Sequence, residues 1–156
     1  MKASLRIGLS FGLTSAVITT LGLMVGLNSG THSKLAVLGG ILTIAVADAF
    51  SDALGIHVSE ESDNKTEKNV WESTGATFIS KLIIALTFVL PVIFLELGTA
   101  VLVSIIWGLM ILGILSYEIA KHRKENSLKV VVEHLLIAII VIVITHLIGK
   151  AINFYF

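Results

Sequence analysis

Two acids interrupt the apolar run LTIAVADAFSDALGIHVSEE (42–61): Asp48 and Asp52, four residues apart. At roughly 100° per residue, that spacing stacks both carboxylates on one helix face, together with Ser51, Gly55 and Ser59, while His57 points away from Asp48. A carboxylate near a bilayer centre costs about 2.5–3.5 kcal/mol on insertion scales, so a pair implies a polar interior, a partner cation or a proton. Hard divalent cations favour oxygen ligands, and a buried carboxylate can also carry protons. The bland alternative is a pair satisfied by a lysine or by hydroxyls of neighbouring helices. Lys81 is read here as near an interface, able to snorkel to it, so no basic residue is expected at mid-depth.

Glu60, Glu61 and Asp63 follow the pair and either collect cations or form a solvated rim; His57 beside them is a ligand or an interfacial side chain. Glu96, Glu118, Glu133, His134 and His146 fall near the ends of other apolar segments, where charge is cheap, and His146 is also a candidate for an exit path. Nucleophile motifs, phosphate loops and clustered histidines are absent, which argues against an enzyme. With no cysteine, disulfides and thiolate metal sites are excluded, and no permanently bound cofactor is expected.

Positioning these residues requires a membrane frame. The chain has 156 residues and is 55% hydrophobic, with a mean hydropathy of +0.95. Apolar segments at roughly 5–28, 35–58, 76–96, 99–120 and 129–150 are each long enough to cross a hydrocarbon core ~30 Å thick. The expected fold is all-α: one polytopic domain of five transmembrane helices in a lipid bilayer, with a polar loop at 59–74 as the longest connection. Lys2, Arg6, Lys65, Lys68, Lys121, Arg123, Lys124 and Lys129 fall on one side and only Lys34 and Lys150 on the other, so the positive-inside rule puts the N-terminus in the cytoplasm. The same bias accounts for the basic loop KHRKENSLK (121–129) without nucleic acid. The membrane itself, of a cell or an organelle, is not specified.

Gly8, Gly12, Ser15, Thr19, Gly22 and Gly26 form a small-residue stripe on the first helix, suited either to close packing within one chain or to a homodimer seam. Pro91, the only proline, is expected to kink the third helix.

Gly8-Leu-Ser-Phe-Gly-Leu-Thr-Ser15, followed by Leu23-Met-Val-Gly-Leu27, resembles the first helix of the vacuolar iron transporter family, and Ser51-Asp-Ala-Leu-Gly-Ile-His-Val-Ser59 resembles its second-helix pattern Ser-Met-Ala-x-Gly-Glu-Tyr-x-Ser. Pro91 and Gly149 fit its later helices. The resemblance implies a homodimer carrying Fe²⁺ and related divalent metals between helices one and two of both subunits, in exchange for protons. Phe11 stands where the family has an Asp, Asp52 replaces the motif Met and Ile56 the motif Glu. Losing the thioether shifts the expected preference toward harder cations such as Mn²⁺. Under this reading Asp48 and Asp52 hold the metal, with Ser51, Thr14 and Thr19 as hydroxyl ligands or pathway lining and Glu60 and Glu61 at the mouth. The alternatives are a non-transporting membrane scaffold and a proton-coupled carrier of another small solute.

Overall fold

A computed structural model describes residues 2–156, and within them the chain is helical almost throughout. The elements are α1 (Ala3–Thr31), α2 (Lys34–Ser62), α3 (Glu67–Thr87), α4 (Val89–Phe94), α5 (Leu97–Arg123) and α6 (Ser127–Tyr155). Since α3 and α4 together form one span, five helices are long and apolar enough to cross a membrane. The helices overrun the apolar segments, except that the third span stops at Phe94, two residues short of its segment's end. The 59–74 connection shrinks to 63–66, because Ser59–Ser62 extend α2 and Glu67–Thr74 begin α3. A membrane span needs about 20 residues, and the polar turns beyond it continue the backbone hydrogen-bond ladder into water.

The five spans alternate in direction, so the starts of α1, α3 and α6 share an end with the finishes of α2 and α5. Lys2 reaches Glu72 across that end at 2.5 Å. At the other end Lys34 donates to the carbonyls of Ile93 and Leu95 at 3.1 and 3.0 Å, satisfying groups that the finish of α4 leaves without helical partners.

The break between α3 and α4 follows from Pro91. Its nitrogen carries no hydrogen, so the Thr87 carbonyl one turn earlier loses its acceptor role. The chain tightens there, with Phe88 N–H donating to Ala85 O at 3.2 Å. Phe88 is itself fully buried, in a core with Val17, Leu21, Met24, Ile41, Val92 and Leu112.

Helix α1 is the hub and packs on α2, α3, α5 and α6. Lipid tails are as apolar as leucine, so close backbone approach rather than a hydrophobic effect must hold these helices. The small-residue stripe supplies it in two directions. A Cβ at Gly8 would collide with the Ser73 carbonyl, and one at Gly12 with Ser80 and the Thr77 carbonyl, both on α3. Further along, Gly30 and Gly149 bring α1 against α6, where a Cβ on Gly149 would strike the Gly26 carbonyl. Of the two uses foreseen for this stripe, packing within one chain is what these glycines do.

Candidate functional site

The middle of the bundle holds three charges. Asp48 is the central residue of α2, Lys81 lies at the centre of the Glu67–Phe94 span, and Ser15 is two residues from the centre of α1. The Lys81 ammonium is 2.5 Å from Asp48 Oδ2 and also pairs with Asp52 Oδ2. It donates hydrogen bonds to Asp52 and, at 2.8 Å, to Ser15 Oγ. Asp48 Oδ2 is buried and lacks an aligned hydrogen bond, so charge alone holds it. The lysine side chain is 1% exposed, against 23% for Asp48 and 17% for Asp52. The cation is therefore enclosed, and the acids retain an opening toward the outside of the chain.

Lys81 does not snorkel. Its side chain turns into the bundle, 1% exposed, and its ammonium is spent on Asp48 and Asp52 on the neighbouring helix rather than reaching along α3 for an interface. A basic residue does occupy mid-depth, and it meets the two carboxylates.

The geometry of α2 explains the opening. Val37, Ile41, Ala45, Ala49 and Ala53 are buried, forming a row at four-residue spacing that faces the bundle. The Asp48–Asp52 row follows it by three residues, roughly 60° to one side, which puts the acids on the flank of the packed face. The row Gly39, Thr43, Ala47, Ser51, Gly55 and Ser59 lies on the far side and is exposed throughout. A Cβ on Gly39 or Gly55 would meet nothing within 4 Å. Leu42, Val46, Phe50, Leu54 and Val58 make up the remaining exposed row.

Other expected site residues scatter. Ser51, exposed, stands apart from the Lys81 contacts. The hydroxyls of Thr14 and Thr19 turn back on their own helix, donating to the Ser10 and Ser15 carbonyls at 2.8 and 2.9 Å. Ser15 is the hydroxyl that joins the acids. Glu60 is 7% exposed, while the side chain of Glu61 is 62% exposed and 3.5 Å from His57. His57 hydrogen-bonds Thr74 at 3.1 Å and lies edge-on to Trp71, which makes it a clasp between α2 and α3. Glu133 is 3.8 Å from Lys129. His134 joins Ser116 at 2.8 Å, and His146 joins Ser29 at 2.6 Å. Among the described residues no three carboxylates or histidines converge as a metal cage.

The arrangement is thus two acids neutralised by one ammonium, with a net charge of −1. Chemically it can exchange that ammonium for another cation, or it can pin three helices together. No protein-family model matches the chain, and no curated protein matches it.

Proposed function

We propose that the chain is a divalent-cation carrier working as a homodimer, in which Asp48 and Asp52 hold the ion and Lys81 takes the ion's place when the site is empty. The observation that carries this reading is Lys81 between the two acids at the centre of the bundle. Buried ion groups seldom add stability over well-packed apolar ones. Charges retained at mid-membrane instead mark ion paths. An ammonium on a flexible four-carbon stem is a tethered cation that can swing aside when a harder ion arrives. Oxygen-only ligands at a site with no sulfur donor suit hard cations such as Mn²⁺ ahead of Fe²⁺. Protons can balance the same carboxylates, which makes proton-coupled antiport the natural form of exchange.

The exposed small-residue row of α2 supports the homodimer. Small side chains at four-residue spacing let two helices approach closely in lipid, and this row flanks the open side of Asp48 and Asp52. Two copies meeting there would bring four carboxylates and two ammoniums together, net −2, the charge that one divalent ion balances. The excess of basic residues at the Lys2 end orients the N-terminus to the cytoplasm. The resemblance to iron transporters agrees with a path beside helices one and two.

Uptake of Mn²⁺ or Fe²⁺ into proteoliposomes tests the assignment. D48N and D52N should each abolish it, and wild-type-like uptake by the double variant would sink it. A scaffold is the second reading, favoured by Lys81 already pairing with both acids. It predicts a melting temperature in detergent that Mn²⁺ leaves unchanged, whereas the carrier should melt higher with the ion. Proton flux without any metal response would point instead to a carrier of another small solute.

A further inference from the structure

At the Lys2 end, α1 and α5 diverge and leave a groove of about 760 Å³. Its walls are Leu9, Leu13, Leu115 and Ile119, and its mouth carries Arg6, His122 and Arg123. The Arg6 guanidinium donates to Nε2 of His122, across 116 residues of sequence. No carboxylate pairs with Arg6 among the described residues, whereas Arg123 is 3.0 Å from Glu125 in a largely exposed pair. Glu118 also lines the groove, one turn deeper than His122, and has no ion-pair partner among the described residues. The charged residues that line the groove are Arg6, Arg123 and Glu118, a balance of +1.

We propose that this groove holds an anionic phospholipid, its phosphate on Arg6 at the level of His122 and one acyl chain along Leu9, Leu13, Leu115 and Ile119. Charge complementarity selects the occupant. A guanidinium satisfied only by one imidazole nitrogen keeps most of its five donors free, in the fork geometry that fits phosphate. The first turn of α1 and the last turn of α5 fall where lipid headgroups lie, and the apolar walls start immediately below. Each basic residue near an anionic membrane surface contributes about 1 kcal/mol to such attraction. The lining's excess of +1 leaves a zwitterionic headgroup, which brings no net charge, unfavoured against an anionic one. Glu118 sets the depth limit, because an anion slipping further would face its carboxylate.

The test uses the full chain purified in a neutral detergent, with native mass spectrometry and thermal melting as readouts. Phosphatidylglycerol should be retained at least fivefold over phosphatidylcholine of the same acyl chains and should raise the melting temperature by several degrees. R6Q should erase that preference, and K150Q, at the opposite end, should keep it. Equal retention of the two lipids by the wild-type protein overturns the proposal, and that comparison stands even if R6Q fails to fold. Preference surviving in a folded R6Q also overturns it. Inorganic phosphate reproducing the melting shift would make the site a free-anion site rather than a lipid one, and would equally refute it.

Discussion

Removing the ammonium from the centre of the bundle is the most direct perturbation of this molecule. K81M keeps the length of the side chain but leaves Asp48 and Asp52 facing each other with a local charge of −2 instead of −1. Breaking a buried ion pair on one side costs about 3–5 kcal/mol, because the remaining charge is stranded. The 23% and 17% exposure of the acids lies on a flank that lipid or a second copy covers rather than water, so nothing offsets the stranded charge and the loss should be about 3–5 kcal/mol. At roughly 2–4 °C per kcal/mol for a chain of this size, K81M should melt about 6–20 °C below wild type. Neutralising the acids should undo this. The triple variant K81M/D48N/D52N carries no charge at the site and should return to within about 1 kcal/mol of wild type, since neutral replacements of a buried triad are often tolerated. It should also transport nothing. Thermal melting in detergent, with and without Mn²⁺, reads all three proteins. With its tethered competitor removed, K81M should gain more from Mn²⁺ than wild type does. If K81M melts with wild type, or the triple variant is no better than K81M, stranded charge is not what Lys81 prevents and the reasoning fails.

Two further predictions concern the glycines and the exposed row. G12A should destabilise by about 1–3 kcal/mol, because a Cβ there has to displace α3 backbone; G39A and G55A, with open space around them, should leave the melting temperature of the single chain unchanged or slightly raised. Equal loss at all three positions would refute the packing account of α1. Ser51 is exposed on α2 and the native chain has no cysteine, so S51C should form an oxidised cross-linked dimer in membranes. A cysteine at Leu136, exposed on α6, should not, and cross-linking through α6 alone would move the homodimer seam.

How much of this was legible beforehand depends on the range over which each signal acts. The five spans were readable because hydropathy is a local property of about 20 residues and lipid leaves helices almost no alternative. Pro91 was readable for the same reason, since its missing donor acts within one turn. Helix ends were not. Residues 59–74 are polar, and polarity marks where lipid ends rather than where hydrogen bonding ends, so four residues of loop looked like sixteen. The glycine stripe on α1 was visible, but its partner was not. Small residues announce close approach without naming the neighbour, and Gly8 and Gly12 turn out to face α3 while Gly30 faces α6.

The site itself suffered from both effects at once. Asp48 and Asp52 were conspicuous because their spacing is a property of a single helix. Their partner stands 29 residues beyond Asp52 on another span, and nothing in a single sequence pairs them. Placing the third helix at 76 put Lys81 about one and a half turns from an interface, where a lysine needs no partner. What that reading missed is direction: the side chain turns inward to the acids of α2 instead of along α3 toward the interface. A lysine inside the apolar part of a membrane span is an intramembrane charge in its own right, and the cost of leaving it alone is of the same size as that of each acid. One ammonium and two carboxylates at matching depths on neighbouring helices therefore settle each other's burial, except for one unit of negative charge. That remainder, on the flank that opens toward the exposed row of α2, is what a second copy and a divalent ion would have to meet.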